Sequence, residues 1–157
     1  MGKSIYWDVP GEREAVIPHA QVDAATVSAI VPEAIWTAPC DCVITAVYVT
    51  PESTQAGHAT NYHSLALQNK DAAGTGTTEV ATYDFVVAGA IAACVRTAMT
   101  LNTTAANLVI DEGDCLQFSH VKSGNGVDVE PGVFTIEFRP TTWMSPFVSA
   151  GMANAKA

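Results

Sequence analysis

The chain is short of positive charge. Lysine and arginine together number seven of 157 residues, against sixteen aspartates and glutamates, for a net charge of −9 with histidine neutral. The seven cations are scattered. Binding to DNA or RNA needs clustered cations that displace counterions from phosphate, so the sequence argues against a nucleic-acid partner. The same balance opposes adhesion to anionic lipid, and it keeps separate copies from sticking together. No run of about 18 apolar residues occurs, which argues against a transmembrane helix. Met1 to Asp8 lack the apolar core of a secretory signal. The sequence therefore points to a protein made and used in a cytosol, or released by lysis.

Reactive signatures are missing too. There is no G-x-S-x-G elbow, no P-loop and no H-E-x-x-H. Gly74-Thr75-Gly76 is too short for a dinucleotide fingerprint and reads as a hairpin loop. Cysteine is sparse, at Cys40, Cys42, Cys94 and Cys115. Cys40-Asp41-Cys42 has one intervening residue, where structural zinc sites commonly have two to four. The four read as buried free thiols, with disulfides or a metal as the alternatives. Cys94 or Cys115 as a nucleophile would need a histidine held nearby, which sequence does not place. His58 and His63 flank Asn61 and could approach one metal, but no adjacent carboxylate supplies a third ligand. The plainer reading is one surface histidine and one strand histidine. Asp111, Glu112 and Asp114 around Gly113 could gather calcium; an acidic β-turn is the simpler account. A solvated turn would not separate two carboxylate pKa values for acid–base work. The expectation is a non-catalytic protein with no cofactor and no metal.

What the chain does have is apolar content, 48% of residues, with 15% charged. That composition folds as one domain with a real core. Period-two alternation recurs. In 133–139, Phe134, Ile136 and Phe138 fall on one face, and Thr135, Glu137 and Arg139 on the other. Leu116, Phe118 and His120 alternate with polar residues, as do Leu65 and Leu67, and Ala81, Tyr83 and Phe85. Val95, Met99 and Leu101 share a face with Thr97. These are half-buried antiparallel strands. Cys42 to Thr50 is apolar or β-branched on both faces and reads as a central strand covered on both sides. Ala25 to Val31 reads as another strand, ended by Pro32. Val86 to Met99 is alanine-rich, and a loop followed by a strand is favoured there over a short helix. Turn sequences at Asn69-Lys70-Asp71, Glu112-Gly113-Asp114, Gly124-Asn125-Gly126 and Pro131-Gly132 separate the runs at sandwich-like spacing. The expected architecture is an all-β, antiparallel, jelly-roll-like β-sandwich over residues 25–139. An extended N-terminal arm (1–24) precedes it and a C-terminal tail (140–157) follows.

The two ends hold large apolar side chains outside the patterned body. The arm has Ile5, Tyr6, Trp7, Val16 and Ile17; the tail has Trp143, Met144 and Phe147. Chain ends in water are usually polar, and exposed aromatics mark contact surfaces. These eight residues are the candidate partner-binding set. The alternative is that both ends fold back onto their own body.

The order of Ile44 to Pro51, Ala59-Thr60-Asn61, Leu65 to Lys70, Gly74 to Thr77, Leu108 to Asp114, Gly124 to Val127 and Pro131 to Phe138 resembles small jelly-roll proteins among the head genes of tailed phages. The match spans roughly residues 42–139 and rests on hairpin chemistry. The resemblance implies a capsid decoration (cement) protein: a structural virion protein made in the host cytoplasm. It would bind and stabilise the outer surface of an icosahedral head. The implied partners are the major capsid protein and further copies of the chain, as a homotrimer. A head-fibre base, a tail or other minor virion component, and a carbohydrate-binding β-sandwich module are the alternatives.

Overall fold

Alternation of apolar and polar residues becomes strands wherever it runs for seven residues or more. The computed structural model describes residues 11–23, 34–85 and 89–141. In them lie β1 (Arg13–His19), β2 (Ala34–Thr37), β3 (Cys42–Pro51), β4 (Tyr62–Asn69), β5 (Thr78–Asp84), β6 (Thr97–Ala98), β7 (Thr100–Leu101), β8 (Val109–Ile110), β9 (Cys115–Ser123) and β10 (Gly132–Pro140). Along β4 burial alternates strictly, with His63, Leu65, Leu67 and Asn69 turned inward. None of the described residues forms a helix long and apolar enough to cross a membrane.

The strands form two sheets, each of five strands. The first runs β1-β10-β3-β6, with β8 pairing a separate stretch of β3; the second runs β2-β9-β4-β5-β7. Every named pair is antiparallel. Among the described strands, only the β4–β5 hairpin joins neighbours within one sheet; each other step along the chain changes sheet. This is the winding of an all-β, jelly-roll-like sandwich.

Aromatic rings bolt the sheets together. Phe118 of β9 stacks on Phe134 of β10 with centroids 3.6 Å apart and planes 10° from parallel. His19 lies against Phe134 at 4.6 Å. Trp36 of β2 meets Phe138 of β10 at 5.0 Å. Ile44, Val47, Leu65, Leu67, Ile110, Leu116 and Ile136 fill the space between them, all buried.

The structure changes several of the sequence expectations. Residues 13–19 belong to the sandwich: β1 pairs with β10 along its whole length, from Arg13 opposite Phe138 to His19 opposite Gly132. The body therefore starts before residue 25. Its sequence hides this because Pro18 interrupts the run, although an edge strand tolerates a missing N–H. Strand β3 is central in its sheet but buried on one face. Its outward Val43, Thr45, Tyr48 and Thr50 are half-buried, shielded by side chains of the same face. The run 95–101 is not one strand. It passes from the first sheet to the second at Met99, whose N–H bonds Val47 O at 2.8 Å, and Val95 is left exposed. From Gly89 to Arg96 the described chain is turns and a bridge, the loop favoured from sequence. The expected strand 25–31 lies outside the described residues.

Phe134 touches both Phe118 and His19, so its loss would open a cavity that neither sheet can close. Phe134→Ala is expected to lower stability by about 3–5 kcal/mol, read as a fall in the denaturant midpoint at unchanged slope.

Candidate functional site

The surfaces available for function are two sheet faces and two loop-bearing ends. On the outer face of the first sheet, register sets Glu14 directly opposite Glu137. Like charges so placed repel. Arg96 resolves this from the loop before β6. Its guanidinium lies 3.9 Å from the centre of the Tyr48 ring, 2.5 Å from Glu137 Oε1 and 3.5 Å from Glu14 Oε2. One cation thus spans β3, β10 and β1. In register beside Tyr48, across Thr135, is Val16, 56% exposed. Because the cluster is open to solvent, Arg96→Ala is expected to cost only about 1 kcal/mol. Adding Glu14→Gln should restore part of that, checked by urea unfolding of the single and double variants.

The outer face of the second sheet has a different chemistry. Ser64, Ala66 and Gln68 of β4 alternate outward beside Val121, Ser119 and Gln117 of β9. Ile35 of β2 lies next to Gln117. Ile35 is 59% exposed and Val121 44%. The outward positions of β2, β4 and β9 include no charged residue. These uncharged outward positions, bordered on the same sheet by Asp84 and Glu79 of β5, are where another protein can approach at the least electrostatic cost.

At one end of the sandwich the chain enters β1 and leaves β10, on adjacent strands. Arg13 at the start of β1 is opposite Phe138 near the end of β10, and Thr141 N–H bonds Asp41 O at 2.9 Å. Ile5, Tyr6, Trp7, Trp143, Met144 and Phe147 lie outside the described residues. Of the two remaining candidates, Val16 faces solvent on β1. Ile17 is half-buried and packed against the core. Alternation along an edge strand points the two neighbours in opposite directions.

The acidic residues at this end form a turn. Gly113, at φ 94°, donates its N–H to Ala38 O at 2.9 Å. Asp114 Oδ2 accepts from Asn69 Nδ2 at 2.8 Å, and Asp41 Oδ1 from Glu112 N–H at 2.8 Å. These carboxylates brace backbone and side-chain amides. Among the described residues no three His, Cys, Asp or Glu side chains are grouped to hold a metal. The four cysteines are free, but only Cys42 is buried; Cys40 and Cys115 are half-buried. Cys94 corrects the expectation of burial: it is exposed, in a turn at φ 57°. Burial, then the charges of Cys40, Asp41 and Asp114, push the Cys42 thiol up to about 12. Burial first, then Glu112 and Asp41, raises Cys40 as well. Neither is a thiolate nucleophile near neutral pH.

The opposite end is organised by a residue with no sequence signal, Gln55. It is 2% exposed. Its Nε2 donates to Asp128 O at 2.9 Å and its Oε1 accepts from Glu130 N–H at 2.7 Å. Its own backbone pairs with Ile91. Three loops thus close on one residue. His58 and His63 do not converge on a site: exposed His58 Nδ1 accepts from the N–H groups of Thr60 and Asn61 at 3.2 and 3.0 Å. His63 is buried with Nδ1 2.8 Å from Val127 O. Gly124, at φ 58°, backs onto Asn61 Oδ1 and Thr60 O, where a Cβ would collide. Gln55→Leu, which leaves the Asp128 carbonyl and Glu130 N–H without their partner, is expected to cost about 1–3 kcal/mol, measured by thermal and denaturant unfolding.

Comparison with family models, curated proteins and solved structures finds no match for this chain.

Proposed function

We propose that this chain is a non-catalytic structural virion protein. In this reading it is a capsid decoration protein that binds the outer surface of a tailed-phage head and contacts both the major capsid protein and further copies of itself. The observation that carries the reading is the adjacency of the two chain ends. Strands β1 and β10 are neighbours, and the segments beyond them contain Ile5, Tyr6, Trp7, Trp143, Met144 and Phe147 in 26 residues. In this reading the two apolar segments, joined in sequence to neighbouring strands, act as one two-part anchor. Engaging both raises the effective concentration of each for a common partner.

Other features fit the same role. Binding to an assembled shell stabilises it by mass action and needs no bond-making side chain. The acidic surface limits adhesion between particles covered in many copies. The uncharged outward positions of β2, β4 and β9 suit lateral contact between neighbouring copies.

Deleting residues 1–10, and separately residues 142–157, leaves every described strand intact. Each deletion is expected to lower co-sedimentation with shells of the major capsid protein by at least tenfold. Light scattering on the full chain is expected to give a trimer mass. Unchanged binding by both truncated proteins, or a monomer at micromolar concentration, would overturn the reading.

A further inference from the structure

The turn after β9 holds a reactive pair that has no part in the decoration role. Asn125 is exposed, and Gly126 after it makes the only Asn-Gly step in the sequence. A peptide nitrogen can attack the side-chain amide carbon of the asparagine before it. A glycine nitrogen does so most readily, because no side chain crowds it. The other described asparagines precede Tyr62, Lys70, Thr103 and Leu108. Three of them are also engaged through their side chains: Asn69 with Asp114 Oδ2 at 2.8 Å, Asn102 with Glu79 O at 3.0 Å, and Asn61 with Asn125 N–H at 2.9 Å. The side-chain amide of Asn125 has no hydrogen-bond partner among the described residues.

The attacking nitrogen, by contrast, is held. Gly126 N–H donates to Ser123 O at 3.0 Å and closes the turn. Asn125 N–H donates to Asn61 Oδ1, the same oxygen that Gly124 backs onto. Beyond the turn, Val127 O lies 2.8 Å from His63 Nδ1, Val129 bridges Val22, and Gln55 takes both Asp128 O and Glu130 N–H. An N–H tied in this way neither gives up its proton readily nor swings toward the neighbouring side chain. Reaction therefore waits on local opening.

We propose that Asn125 is a self-modifying site gated by its own turn: when the turn opens, the Gly126 nitrogen attacks the Asn125 side chain, and the residue becomes aspartate or isoaspartate.

The chemistry needs water alone. Gly126 N loses its proton to hydroxide, and its electron pair forms a bond to Asn125 Cγ. The bond from Cγ to Nδ2 breaks, and that nitrogen leaves as ammonia after taking a proton from water. A five-membered imide remains. Water then adds to one of its two carbonyl carbons and breaks the C–N bond there. Opening at Cγ gives aspartate on the original main chain. Opening at the α-carbonyl gives isoaspartate, whose main chain runs through the side chain and is a methylene longer. Nothing is oxidised or reduced. Either product adds a negative charge to a chain already at −9. Isoaspartate also lengthens the turn that the Ser123–Gly126 bond now closes, so the modification loosens the loop end.

Peptide mapping by mass spectrometry, with standards that separate aspartate from isoaspartate, follows the reaction in the full chain at mildly alkaline pH. Product is expected at Asn125 before any other described asparagine. The full chain should react about tenfold or more slowly than a synthetic peptide of residues 121–129, which has no closed turn. In urea strong enough to unfold the chain, that difference should vanish. Asn61→Ala removes the acceptor of Asn125 N–H and should raise the folded rate about threefold, with folding checked by circular dichroism. The proposal is overturned if another described asparagine reacts first, if the folded chain matches the peptide, or if unfolding leaves the chain slow. An unchanged rate in folded Asn61→Ala overturns the gate as well. None of these results depends on whether the chain is a decoration protein.

Discussion

The stack of Phe118 on Phe134 is the contact on which the rest of the molecule depends. It is the closest ring contact between the two sheets among the described residues, and each phenylalanine sits on a long strand of its sheet. β10 is hydrogen-bonded to β1 on one side and β3 on the other; β9 is bonded to β2 and β4. Holding one stack therefore holds six strands. Every element that places a candidate surface, including the start of β1, the end of β10 and the uncharged outward positions of β2, β4 and β9, is referred to that pair of strands.

The winding between sheets has a consequence for the ends of the sandwich. Because nearly every connection changes sheet, both ends are capped by crossing loops, which need internal polar partners where they are buried. The two ends meet this need in different ways. One uses carboxylates, with Asp41 and Asp114 accepting from backbone and side-chain amides. The other uses an amide and an imidazole, Gln55 and His63.

Much of the sandwich was legible in the sequence. Alternation at 133–139, 116–120 and 65–67 marked inward faces that the structure bears out, since the side-chain period of a strand is two whatever its partner. Charge at Arg96 and Glu137 was visible, but not that Arg96 would answer two opposed glutamates. That depends on the register of β1 against β10, a long-range pairing. Val16 and Ile17 looked equivalent as apolar neighbours. Pairing with β10 turned one outward and one inward. Gln55 carried no signal at all, because a glutamine in a polar loop looks the same whether exposed or at the meeting point of three loops.

The sequence by itself determined the class of the fold, the acidic surface and the apolar character of both ends, because composition and local periodicity are properties of the chain before it folds. Tertiary structure alone decided that those ends begin on adjacent strands, that Glu14 faces Glu137, and that His63 meets His120. Each of these unites residues tens of positions or more apart. Only sheet pairing and sheet packing, driven by burial of the aromatic core, bring such residues within reach of one another.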